Sequence, residues 1–353
     1  MGESFGWRAL LSPVDPQLFF RRHWQRQVCH IVGRPGKFNP LFDAARFEAV
    51  LNLRDPSQLG ACHIGYFEQS DLVPGLTITE AIEPRHWRKV LAAGKTLCLT
   101  KIGAADTALQ QAAEQLLIEA AIAGSVVVNG YLSPPGSGAD AHLDARMTLS
   151  LQLRGHKTWW FARWPAVAAP QSNAQLIDGG QPYWVLPWAG HQNWEQLRPP
   201  PDTDWQSVTL APGDLLYLPA GTWHAARACE RSTAINLAFR QTSFAELLVP
   251  VLAAHFAPRA AWRTGIPPSW QDSGPDQALG AHAANGAANP PPDISSAAGQ
   301  GMPATLVPPA APSLATERYL RTQLQVAARQ LSRLADSPPR TLHRLWQRMT
   351  DQS

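Results

Sequence analysis

Residues 142–161 read His142-Leu143-Asp144-Ala145-Arg146, Met147-Thr148-Leu149-Ser150-Leu151-Gln152-Leu153, Arg154-Gly155-His156, Lys157-Thr158-Trp159-Trp160-Phe161. The alternation of apolar and polar residues over 147–153 is the pattern of a half-buried strand. Arg154-Gly155-His156 makes a turn, and Lys157 begins the next strand. Alternate side chains of a strand share a face, so His142 and Asp144 can grip one metal ion while Leu143 points away. A second histidine, His224, lies at the end of Pro219-Ala220-Gly221-Thr222-Trp223-His224. Two histidines and one carboxylate, leaving three coordination positions open, are the ligand set of a mononuclear non-haem iron(II) site. Structural metal sites are normally closed, so an open set suits oxygen activation better than support. An isolated His-x-Asp is most often a surface polar pair, and its surroundings decide the reading.

Those surroundings are strand-rich. Upstream, Ser125-Val126-Val127-Val128-Asn129-Gly130-Tyr131-Leu132 is a β-branched run that predicts a strand. The turn-rich stretch 133–140 separates it from His142. Downstream, Val208-Thr209-Leu210 leads into the tight turn Ala211-Pro212-Gly213-Asp214. The short apolar strand Leu215-Leu216-Tyr217-Leu218 comes next, then the Pro219-Ala220-Gly221 turn, with His224 at a strand start. Residues 232–240 supply another strand. The expected fold is mainly β with flanking helices: a double-stranded β-helix of the cupin or jelly-roll kind, followed by a C-terminal helical tail.

On these residues the chain resembles the JmjC-type, cupin-fold, 2-oxoglutarate-dependent oxygenases, with the bacterial ribosomal-oxygenase-like protein hydroxylases as the nearest group. The resemblance spans roughly residues 8–250. It implies Fe(II) held by His142, Asp144 and His224. It also implies a basic residue for the distal carboxylate of 2-oxoglutarate, thirteen positions after the aspartate, where Lys157 stands. Lysine is scarce in this chain, five against twenty-five arginines, which makes the match specific. The resemblance further implies that Tyr131, Thr148 and Asn236 shape the co-substrate pocket. The activity implied is hydroxylation of a side chain on a protein or peptide substrate, such as a ribosomal protein, with succinate and CO2 as co-products. A peptide natural product or small molecule stays open as the substrate, and methyl-lysine demethylation ranks lower. Two readings from other classes also stand: a metal cupin that does not use 2-oxoglutarate, and a non-catalytic barrel serving as a binding module. Each residue has a plainer reading too. Lys157 can be a solvated strand-end lysine, Tyr131 a core residue, and His156 and His191 surface residues.

Composition excludes several classes. The formal net charge is +3 over 353 residues, and no basic run interleaves with aromatics, so no direct nucleic-acid ligand is expected. The four cysteines, Cys29, Cys62, Cys98 and Cys229, form no CxxC pair, which argues against a zinc ribbon, an iron–sulfur cluster or a disulfide scaffold. No signal peptide and no run of eighteen apolar residues is read, so no membrane association and a cytoplasmic location are expected. Of fourteen tryptophans, Trp159, Trp160, Trp164, Trp184, Trp188, Trp194 and Trp205 crowd the barrel and its insert, either as packing or as an aromatic-lined cleft.

Four stretches are expected along the chain. Residues 1–95 form a lead-in of helices and strands, with helices over 15–24, 44–52 and 82–93. Residues 96–256 form the JmjC-like catalytic barrel, with helices over 107–123 and 244–256 and an insert at 169–203 placed like a lid. Residues 271–312, rich in Ala, Pro and Gly, predict a disordered linker. Residues 313–350 predict C-terminal helices, and the resemblance carries an expectation of a homodimer.

Overall fold

A computed structural model describes residues 5–53, 55–185, 197–201 and 204–243, together with Glu246 and Ala253. The chain divides into two units, Met1–Thr242 and Ser243–Ser353. Both sheets belong to the first. The expected helix over 244–256, the linker over 271–312, the C-terminal helices and any dimer built on them fall outside the described residues, apart from helical Glu246 and Ala253.

The first third of the chain runs α1 (Trp7–Leu11), α2 (Pro16–Arg22), β1 (Cys29–Ile31), α3 (Ala44–Leu51), β2 (His63–Gln69), β3 (Thr77–Ala81), α4 (Trp87–Ala92) and β4 (Leu97–Thr100). Then follow α5 (Thr107–Glu119), β5 (Gly124–Ser133), β6 (Gly138–Leu143), β7 (Met147–Arg154), β8 (Lys157–Ala162), β9 (Ala174–Ile177) and β10 (Gln181–Trp184). The last four strands are β11 (Trp205–Leu210), β12 (Leu215–Leu218), β13 (His224–Ala228) and β14 (Ser232–Gln241). Aspartates start the helices: Asp15, Asp43 and Asp106 each accept a hydrogen bond from the backbone N–H three residues on. Asp106 also pairs with Arg46 through two guanidinium nitrogens, tying α3 to α5.

The strands form two antiparallel sheets. The larger has the order β1-β12-β7-β14-β5-β4-β2-β3, the smaller β10-β9-β6-β13-β8-β11. Consecutive strands of the barrel half, β5 to β8, alternate between the sheets, which is the double-stranded β-helix expected from the sequence. The lead-in supplies β1, β2 and β3 to the larger sheet, so residue 95 marks a place along the chain and not a break in the structure. The described part of the insert differs from the expected lid. β9 and β10 pair with each other, and β9 pairs with β6, so they extend the smaller sheet.

The period of two sorts the larger sheet into faces. Met147, Leu149 and Leu151 of β7, Ile235, Leu237 and Phe239 of β14, and Val126, Val128 and Leu132 of β5 point outward. They pack under Trp7, Phe19, Phe47 and Leu116 from the helices. Thr148, Ser150 and Gln152 take the opposite face and are buried as well. The alternation in β7 therefore does not divide core from water. It divides a dry core from the polar interior of the barrel. A second apolar layer between the sheets joins Trp159, Phe161, Leu216 and Leu218.

Candidate active site

His142 lies on β6 and His224 opens β13; their backbones pair across the two strands. β6 ends at Leu143, so Asp144 stands just past the strand end and not on it, as simple alternation predicts. A backbone bond from Gly221 N–H to the Asp144 carbonyl, 2.8 Å, holds it there. The Asp144 side chain accepts from Asn173 Nδ2 at 2.9 Å. The three residues offer ligand atoms that all lie within 4.8 Å of one another. The Nδ1 of His142 sits 2.7 Å from the Asp140 carbonyl, and that of His224 sits 2.8 Å from the Thr222 carbonyl. A carbonyl only accepts, so each Nδ1 carries the proton and each Nε2 keeps its lone pair for a metal.

His224 is almost fully buried. Burial first, and the neighbouring His142 second, push its pKa down to about 4. The ring is thus neutral near pH 7, as a ligand must be. The 3.7 Å between His224 Nε2 and Asp144 Oδ2 is therefore the spacing of two ligand atoms facing one ion and not a salt bridge. This donor set, two imidazole nitrogens and a carboxylate oxygen with orienting partners behind each, fits a divalent metal of the iron type.

A cavity of about 340 Å³ opens beside the triad. Lys157, Tyr131, Thr148 and Asn236 all line it. Lys157 is 4% exposed. Its Nζ donates to Ser133 Oγ at 3.1 Å, the first link of a hydroxyl chain through Thr96 to Ser137. The Tyr131 ring lies 6.0 Å from the same nitrogen. Burial lowers the Lys157 pKa to about 8. A buried ammonium held by one hydroxyl calls for an anion. Burial raises the Tyr131 pKa well above its ordinary value, so the phenol keeps its proton. Trp159 Nε1, Ser150 Oγ and Asn236 Oδ1 line the same cavity without hydrogen-bond partners. Such orphaned polar atoms fit a small polar ligand that meets Lys157 at one end.

Sequence reading missed several lining residues. Ser150 shares the inward face with Thr148, and Trp159 follows Lys157 by two, so a period-two count recovers both. Asn173 sits in a loop with no pattern to mark it. His156 points away from the cavity, as expected, to an exposed pairing with Glu230 at 2.5 Å. His191 lies outside the described residues. Among the described tryptophans around the barrel and insert, Trp159 lines the cavity, Trp184 and Trp205 pack against the buried cluster of Leu143, Ala162, Ala174 and Trp223, and Trp160 and Trp164 are exposed. Packing accounts for more of them than an aromatic cleft does.

A model of the JmjC domain matches residues 106–247. Over that stretch the chain is similar to the JmjC domain. That match takes in the triad, Lys157 and every strand from β5 to β14. Uncharacterized protein YxbC of Bacillus subtilis (strain 168) is 26% identical over 258 residues, covering 69% of this chain and 73% of that one. Ribosomal oxygenase 1 of Gallus gallus is 27% identical over 267 residues, covering 71% of this chain; the chain spans 39% of the length of that relative. An X-ray structure of E. coli ycfD aligns at 17% identity with a TM-score of 0.46, covering 77% of this chain and 63% of that one. Among the described residues, no helix is long and apolar enough to cross a membrane.

Proposed function

We propose that the protein is an Fe(II)- and 2-oxoglutarate-dependent dioxygenase that hydroxylates a side chain of a protein or peptide. The observation that carries the reading is one cavity with a His-Asp-His triad at one side and a buried, anion-seeking lysine at the other. In this reading His142, Asp144 and His224 hold the metal, and Lys157 holds the distal carboxylate of the co-substrate by a charge-assisted hydrogen bond. Tyr131, with its proton retained, donates a further hydrogen bond. Thr148 and Asn236 give the cavity its polar wall. When bound, the iron and 2-oxoglutarate supply the oxidising power: O2 is consumed, 2-oxoglutarate leaves as succinate and CO2, and one oxygen atom goes to a substrate C–H bond. The chain's own residues orient that chemistry. The carbonyls of Asp140 and Thr222 keep both imidazoles in the ligating tautomer, and Asn173 holds the carboxylate. The apolar layer of Trp159, Phe161, Leu216 and Leu218 limits the water that reaches the site from within the barrel. The likeness to a protein named ribosomal oxygenase 1 supports a polypeptide substrate, and a cytoplasmic location suits the need for reduced iron and 2-oxoglutarate.

Anaerobic titration with Fe(II) and 2-oxoglutarate tests the reading through the weak visible charge-transfer band of the chelate. The band should appear in the wild type, vanish in His142→Ala and weaken in Lys157→Ala. A folded, metal-loaded wild type without the band overturns the proposal.

A further inference from the structure

Arg146 is a charged cavity residue that the proposed iron and co-substrate leave unused. It lies two positions past Asp144 and lines the cavity, yet its Nη1 is buried without a hydrogen-bond partner. Guanidinium cannot give up its charge near neutral pH, so an unpaired buried N–H asks for an acceptor. Among the described residues, Asp144, already held by Asn173, offsets its charge.

The strand register shows which end of the barrel Arg146 serves. Along β7 the inward residues are Gln152, Ser150 and Thr148, opposite Ala234, Asn236 and Ala238 of β14. Gln152 bonds Ser232, whose backbone pairs with Ser133, the partner of Lys157. Lys157 therefore works at the Gln152 end. Arg146 extends the row past Thr148, at the opposite end. Phe161, the strand partner of His224, lies four positions along β8 from Lys157, so the triad lies between the two cations. Phe239 pairs with Met147, which brings Arg240 beside Arg146 one step further along. Like charges on neighbouring strands repel, and here Arg240 disfavours the Arg146 charge.

We infer that Arg146 recognises a carboxylate on the primary substrate, so that the residue presented to the metal is acidic or lies next to an acidic group. The inference rests on the oxygenase reading for its reaction, but the carboxylate site is testable without it. Its geometry, planar and able to make two parallel N–H···O bonds, favours a carboxylate over its amide counterpart. The carboxylate has two sources, an aspartate or glutamate within a polypeptide or a free small carboxylic acid.

The test uses the full chain loaded with Mn(II), with and without 2-oxoglutarate, and calorimetric titration. The probes are alanine-background heptapeptides carrying Asp, Glu, Asn, Gln, His or Arg at the centre, and N-acetylaspartate. An Asp or Glu peptide should bind at least about tenfold tighter than its Asn or Gln counterpart. Arg146→Ala should erase that preference and Arg146→Lys keep part of it, with 2-oxoglutarate affinity shifting less than about twofold in either. N-acetylaspartate binding as tightly as the peptides would assign the site to a small acid; binding by the peptides alone would assign it to a polypeptide. Equal binding of acid and amide peptides, or none by either, overturns the inference. So does an Arg146→Ala loss of 2-oxoglutarate affinity as large as that of Lys157→Ala, which would give Arg146 to the co-substrate. If Mn(II)-loaded wild type takes up no 2-oxoglutarate, the oxygenase reading fails, while the acid-over-amide preference and its loss in Arg146→Ala still decide the carboxylate site.

Discussion

Lys157 carries a prediction in its own protonation. Burial lowers its pKa to about 8 in the unliganded protein, and only the charged form attracts a dicarboxylate. Below pH 8 the lysine is charged before the ligand arrives, so 2-oxoglutarate affinity should be flat. Above pH 8 each binding event must first protonate the amine, and the Kd should rise by up to about tenfold per pH unit. Lys157→Ala should bind at least about tenfold more weakly and lose the pH dependence, because the group that titrates is gone. Calorimetry with Mn(II) from pH 6.5 to 9.5 measures both. A wild-type Kd that stays level to pH 9.5 removes Lys157 from the carboxylate role. This residue was readable from its spacing and its rarity among arginines. Its hydroxyl partner Ser133 was not, because Ser133 sits at the far end of β5 and meets Lys157 only when the two sheets close.

At the scale of elements, the site hangs on one turn. Pro219-Ala220-Gly221-Thr222 joins β12 to β13 and grips both sides of the triad. Gly221 N–H holds the Asp144 carbonyl, and the Thr222 carbonyl orients His224. Gly221 has φ +78, and a Cβ there would lie 1.9 Å from the Val167 carbonyl oxygen. That oxygen is backbone and cannot swing aside. Gly221→Ala should therefore cost roughly 2 kcal/mol or more of stability, combining left-handed strain with a clash. It should also weaken metal binding by about tenfold, since the ligands' supports move with the turn. Gly94, with φ +78 and nothing within 4 Å of its added Cβ, is the control. Gly94→Ala should cost only about 1 kcal/mol and leave metal affinity alone. Melting curves and metal titration of the two variants separate the effects; equal metal affinity in both would detach the turn from the site. The sequence showed this turn and the strands around it, because Pro and Gly punctuate strongly and β-branched runs are long. It did not show β9 and β10, whose short segments carry no alternation, nor Asn173, whose importance comes only from folding back onto Asp144.

At the scale of the molecule, the question is which residues form the unit that folds. The match to the JmjC domain begins at residue 106, and the sequence suggested a barrel from 96. The core places its boundary elsewhere. Trp7, Phe19 and Phe47 are fully buried against the outward face of the larger sheet, and Trp7 Nε1 bonds the Leu116 carbonyl at 2.7 Å. Trp7 also meets Phe239 on β14 with ring centroids 5.6 Å apart, and β1 hydrogen-bonds along β12. A fragment starting at 96 strips these and exposes the outward face of β7 and β14, a patch far larger than a soluble monomer tolerates. At the other end, Thr242 N–H bonds the Ala123 carbonyl at 2.9 Å, and the main core cluster runs from Trp7 to Phe239. A fragment of residues 1–243 should thus melt cooperatively, with a Tm within about 4 °C of the full chain, a difference of roughly 1–2 kcal/mol. It should bind Mn(II) and 2-oxoglutarate as the full chain does, whereas 96–243 should aggregate or bind a hydrophobic dye. Thermal melts and size-exclusion chromatography of the two fragments decide it. A soluble, cooperative 96–243 would mean that the helical layer is a covering and not part of the core. A 1–243 fragment that fails to fold would place part of the stabilising surface beyond Ser243.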